Sequence, residues 1–262
     1  MTIVPQSLSR LAQLRDGGFH WRGKEPSRIE GLSDAVFGFA ITLLVVSLEV
    51  PATFSELRET MSGFFSFALS FAVLAHVWYR QYVWFRRYGL DDLPATRFNL
   101  MLLFVVLFYV YPLKFLFRIP TALLGLAHVG GRDGEPMLGA GDWPRLMVVF
   151  SIGFAMVYGT LALLHWHAWK HRAALQLNAL ERAITAGDLR KDVIMVVTGL
   201  AATLLALAGL SRTSGAAYVA LFALQHLADR RIAREVEAAK SSLATGVPPD
   251  AASASDAPMP AA

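Results

Sequence analysis

The strongest constraint on this chain is a set of long stretches that contain no Asp, Glu, Lys or Arg. Six occur, at residues 35–48, 60–79, 98–113, 146–169, 193–211 and 213–228. A helix needs about 20 residues to cross the hydrocarbon core of a bilayer, or about 17 if its ends snorkel. The second, fourth and fifth stretches meet that length and the others approach it. Composition points the same way. With 55% hydrophobic and 17% charged residues, the chain has too little polar surface for a water-facing globule, in which about 25% charged residues are usual. The fold class expected is an all-α integral membrane protein with six transmembrane helices. The absence of cysteine excludes disulfides, thiolate nucleophiles and cysteine-bound zinc or iron–sulfur centres.

Orientation follows from the cations. Of the 24 Lys and Arg residues, only Arg58, Lys114, Arg118, Arg132, Arg145 and Arg212 fall in the loops that would face outward if the N-terminus is cytoplasmic. The rest cluster before the first stretch, between the second and third, between the fourth and fifth, and after the sixth. The positive-inside bias therefore predicts N-in and C-in topology in a multi-pass cell inner (plasma) membrane protein. The net charge of +4 reports that orientation and gives no sign of nucleic-acid binding. Residues 1–26 hold no apolar core of the secretory kind and read as a cytoplasmic N-terminal segment. Residues 27–236 form the six-helix domain, with a Gly-rich and irregular outer loop near 114–145. Residues 237–262, rich in Ala, Ser, Pro and Asp, read as a disordered C-terminal tail.

The first helix carries the most specific pattern. Ser27-x-x-Glu30 is a capping box that starts a helix at Arg28 and runs it through Asp34 toward Pro51. Leu32, Ala35, Phe39, Thr42, Val46 and Glu49 recur at spacings of 3, 4, 3, 4 and 3, which puts them on one face with a heptad-like period. Val45, one position round, serves as the off-face comparison. At roughly 100° per residue Asp34 lies about 140° from Phe39 and points toward neighbouring helices. An ionisable group within a span is by default a functional hypothesis. A packing seam with Asp34 in a buried structural pair explains the same spacing.

The run from Arg28 through Ser33-Asp34 and Thr42 to Pro51 resembles the first helix of the transmembrane protein 175 family of potassium channels, in its prokaryotic single-repeat branch. Leu32 stands where that family usually has Phe. Trp78 matches a Trp position of the second helix, and Asn99 precedes the third apolar run, which Pro112 interrupts. Gln81 stands where a His is frequent. The resemblance implies a homotetramer that lies in the bilayer and conducts potassium ions through a pore lined by the first helix. Phe39, Thr42 and Val46, flanked by Leu43, carry the implied hydrophobic constriction, which would prefer potassium and leak other monovalent cations. Arg28, Ser33, Asp34, Trp78 and Gln81 carry the implied structural network. No Thr-Val-Gly-Tyr-Gly filter segment occurs. Glu49, one helical step beyond Val46, would place four carboxylates at the outer mouth and attract cations.

Other groups are less specific. His167 and His171 stand at i and i+4, a spacing that binds metals. With His165, Trp166 and Trp169 beside them and no carboxylate nearby in sequence, they read as interface anchors, and no metal or cofactor is assigned. His76 and His226 are packing groups or titrating modulators. Arg80 to Arg87, with Tyr82, Trp84 and Tyr88, reads as a basic aromatic belt against anionic headgroups. No catalytic motif occurs, so an enzyme has no support. The two rival readings are a proton-coupled transporter that titrates Asp34 and a membrane metalloenzyme built on the histidines.

Overall fold

The computed structural model describes residues 18–46, 52–123, 139 and 141–245. Seven helices form among them: α1 (Arg28–Val46), α2 (Phe54–Ser62), α3 (Phe64–Tyr88), α4 (Leu93–Leu123), α5 (Asp142–Lys170), α6 (Ala179–Leu207) and α7 (Ser211–Thr245). No strand occurs among the described residues. Apart from the short α2, the helices correspond one by one to the six apolar stretches. The α1 helix packs against α3 and α4; α5 joins α4 to α6, and α7 lies against α6. Among the described residues two helices are long and apolar enough to cross a membrane on length and composition alone, α4 over Leu93–Phe117 and α5 over Asp142–Lys170. The second and fifth stretches, expected as clear spans, sit in helices diluted by charge: α3 ends in Arg80, Arg86 and Arg87, and α6 begins with a charged half.

Local chemistry sets the ends. The expected capping box is formed, with Ser27 N donating to Glu30 Oε1 at 2.8 Å and Glu30 N to Ser27 Oγ at 3.3 Å. Asn178 and Glu181 build a second such box at the start of α6. Gly89 ends α3 in the left-handed region at φ 59°, and its N–H returns to the Phe85 carbonyl. The fifth stretch ends early as helix, at Leu207 and not at Ser211. Gly209, at φ 77°, turns the chain between α6 and α7, because glycine adopts that backbone without a Cβ penalty. Two further boundaries shift. The α4 helix continues through Pro112 to Leu123, into the segment expected to be irregular, and α7 continues to Thr245, beyond the expected limit at 236. Before that limit α7 is tied to α6 by Arg190–Glu235 and Lys191–Asp229 ion pairs at 2.6 Å each.

Packing follows membrane logic, in which small residues let helices approach closely. A Cβ on Gly199 of α6 would stand 3.0 Å from Ser151 O and Ala155 Cβ of α5. On the outside, Phe104, Phe108 and Tyr111 of α4 and Val197, Leu200, Leu204 and Leu207 of α6 are exposed, a surface suited to hydrocarbon and not to water.

Residues 18–27 are part of the packed structure. Phe19 is buried, and Arg22 N and Gly23 N both donate to Arg86 O at 3.1 Å. Arg22 forms a bidentate pair with the buried Glu181, at 3.2 and 2.8 Å, and His20 N donates to the same carboxylate. Burial pushes the Glu181 pKa up, but the hydrogen bonds from Arg22, His20 N and Asn178 N outweigh it and hold the group below the ordinary carboxylate range. A depressed folded pKa stabilises above the unfolded value and loses that contribution as pH falls through the folded one. Glu181→Gln is therefore expected to cost about 3 kcal/mol at pH 7, and the difference should shrink as pH falls below about 4. Thermal unfolding in detergent at both pH values checks this; a pH-independent gap would contradict it.

Candidate functional site

The α1 helix has two unlike sides. Glu30, Ser33, Phe37, Ala40 and Leu44 are buried, at spacings of 3, 4, 3 and 4 that define one face. The opposite arc is open. Leu32 is 46% exposed, Phe39 58% and Val45 49%, with Ala35, Gly38 and Thr42 exposed between them. Four members of the expected stripe, Leu32, Ala35, Phe39 and Thr42, thus share an uncovered surface. Val45 lies on it too and is no off-face comparison. Leu43 is half-buried against the core, on the flank of the arc. The side chain of Val46, together with Glu49 and Pro51, lies outside the described residues.

Thr42 has a defined orientation. Its hydroxyl donates to the Phe39 carbonyl at 2.7 Å, which consumes its proton and leaves oxygen lone pairs as its outward chemistry.

A buried relay of polar side chains holds α1 in place. Gln81 Nε2 of α3 donates to Asn99 Oδ1 of α4 at 2.9 Å, Asn99 Nδ2 donates to Ser33 Oγ of α1 at 2.8 Å, and Ser33 Oγ donates to Ile29 O at 2.7 Å. All three side chains are buried. Beside the relay, Trp78 Nε1 donates to Asp34 Oδ1 at 2.7 Å, so Asp34 does turn to a neighbouring helix. Arg28, the other charged member of the implied network, is exposed, and among the described residues no ion pair includes it. At the other end of α1, Lys114 Nζ donates to Leu44 O at 3.2 Å. Lys114 belongs to α4, so this bond ties the two helices together.

The basic aromatic belt of α3 turns inward. Trp84 and Tyr88 are buried, Arg80 binds Asp192 at 2.5 and 3.2 Å, Arg87 binds Asp188 at 2.8 Å, and Tyr88 Oη donates to Thr185 at 2.8 Å. These groups brace α3 to α6 and do not face headgroups. His165 joins them, its Nδ1 lying 2.8 Å from Asp192. His167 and His171 are directed elsewhere, toward Asp92. His76 and His226 are exposed. Sequence reasoning missed Asn99 as the centre of the relay, Lys114 as the partner of α1, and Asp192 as the hub of the α3–α6 brace.

Comparisons with known proteins agree with the pattern. The family model described as "Endosomal/lysosomal potassium channel TMEM175" matches residues 28–109, the segment that holds α1, the relay and the Trp78–Asp34 bond. A protein of Marivirga tractuosa named "Potassium channel" is 37% identical over 182 residues, covering 68% of this chain and 73% of the relative. A potassium channel of Chamaesiphon minutus is 29% identical over 169 residues, 61% of this chain and 71% of that one. A crystal structure of the potassium channel MtTMEM175, solved as a threonine-to-alanine variant with a nanobody fusion protein, matches with a TM-score of 0.73 and 32% identity, covering 82% of this chain and 97% of that one.

The relay makes a testable demand. Asn99→Leu leaves the Gln81 amide unpaired in the interior, which is expected to cost about 2 kcal/mol. Adding Gln81→Leu removes the stranded donor and should recover part of the loss. Melting temperatures of the two purified variants check this, and an Asn99→Leu protein as stable as the parent would show that the relay contributes nothing.

Proposed function

Because the chain belongs to the TMEM175 family of potassium channels, whose members are channels and not enzymes, we propose that it conducts potassium ions through a pore formed by four copies. The arrangement proposed is six membrane spans per subunit, with both termini on the cytoplasmic side of the cell membrane and α1 of each subunit lining the central axis. The observation that carries this reading is the open arc of α1. Its other face is closed by α3, α4 and the relay, while Phe39, Thr42 and Val45 are exposed among the described residues. A rotationally symmetric assembly would bring four such arcs together.

The chemistry of the arc suits partial dehydration. Rings of Phe39 and Val46 would strip water from a passing cation and return little, which costs sodium more than potassium because sodium holds its water more tightly. Thr42, between them, would offer oxygen lone pairs to the partly dehydrated ion. Selectivity of this kind is a preference and leaves leakage of other monovalent cations. Leu43 would support the constriction from its flank. Glu49 would add a ring of charge at the outer mouth.

Phe39→Ala, Thr42→Ala and Val46→Ala are each expected to lower the potassium-to-sodium permeability ratio, by roughly tenfold at the narrowest ring, equivalent to about 1.4 kcal/mol. Leu44→Ala, on the buried face, should reduce stability without that change. Reversal potentials across a potassium/sodium gradient decide this, and α1 is not the filter if none of the three arc variants shifts them. For Glu49→Gln, inward current should fall more at low ionic strength than at high, because salt screens the ring; an equal loss at both counts against it.

A further inference from the structure

From the arrangement of Asp92, His167 and His171 we infer that each subunit carries a binding site for a first-row divalent cation of the zinc type, joining the start of α4 to the end of α5. The i and i+4 histidines lacked a carboxylate in the sequence; the fold supplies one from 75 positions away. One donor atom from each of the three side chains lies within 4.8 Å of the other two. Two imidazoles and one carboxylate are a ligand set that suits zinc, with a fourth position left for water.

Each ligand is oriented by a separate contact. His171 Nδ1 lies 3.0 Å from the His167 carbonyl, which can only accept, so the ring carries its proton on Nδ1 and keeps a lone pair on Nε2. His167 is buried and directs Nε2 at both Asp92 oxygens, 2.9 and 2.8 Å away; a bound metal would take the place of the proton now shared there. Asp92 Oδ1 also accepts from Ala95 N at 3.2 Å as the cap of α4. That bond fixes the carboxylate and leaves Oδ2 as the metal-facing oxygen. His165 is excluded from the site by its bond to Asp192.

The site requires neither conduction nor a tetramer, so its test is independent of the proposed channel activity. Purified protein freed of any affinity tag is titrated with zinc against a chromophoric chelator. One zinc per chain is expected, with affinity weakened at least tenfold in His171→Gln and in Asp92→Asn. Asp92→Asn keeps an oxygen to cap α4, so it remains folded even if His171→Gln does not. His226→Gln, which alters an exposed histidine elsewhere, should bind as the parent does. X-ray absorption of the zinc-loaded protein should show nitrogen and oxygen ligands at about 2.0–2.1 Å and no sulfur. Absence of stoichiometric binding, or zinc affinity unchanged in Asp92→Asn, overturns the inference and leaves Asp92 and His167 as a plain hydrogen-bonded staple.

Discussion

A polar side chain inside hydrocarbon has no water to fall back on, and each must find its partner within the protein. Where α1 meets its neighbours, a short relay answers that requirement, Gln81 to Asn99 to Ser33, which runs from α3 through α4 into α1. Apolar packing alone would let α1 rotate or slide, since leucine on leucine resembles leucine on lipid. Directional hydrogen bonds fix its rotation. Once Ser33 is held inward, the helical period decides that Phe37, Ala40 and Leu44 follow it and that Phe39 and Thr42 face away. The character of the open arc is therefore set at the closed one.

A second set of interactions closes the cytoplasmic end of the proposed topology. Arg80 and Arg87 of α3 meet Asp192 and Asp188 of α6, and Arg22 of the N-terminal segment meets Glu181. Each acid is a single helical turn or two from the next, so α6 presents a column of carboxylates to which two other segments attach. These three cations, which the topology rule counts on this side, are thus engaged in structure as well as orientation. Buried pairs of this kind hold particular segments in register more than they add net stability.

Much of this was legible in the sequence. Ser27 and Glu30 announced the start of α1, and the motif from Arg28 to Pro51 gave the family. Other features were misread because a local pattern has two outcomes. An aromatic and arginine cluster looks the same whether it turns to headgroups or inward, yet Val77, Gln81, Trp84 and Tyr88, all buried, have spacings of 4, 3 and 4 that mark an inward face. Counting charges alone put the break between the fifth and sixth stretches at Arg212, just past the turn at Gly209, although glycine after an apolar run is a helix stop. Asn99, Lys114 and Asp92 could not be assigned from spacing, because their partners lie on other helices and only the fold brings them together.

The length of α7 has a mechanical consequence. Its 35 residues span about 52 Å at 1.5 Å per residue, against about 30 Å of hydrocarbon. A helix of that length in a bilayer must leave several turns standing in water, and the Arg190–Glu235 and Lys191–Asp229 pairs tie the base of that projection to α6. It is therefore a lever with a fixed pivot. A sideways force on its far end would be delivered as torque on α6, and through Asp188 and Asp192 to the helix that holds Gln81.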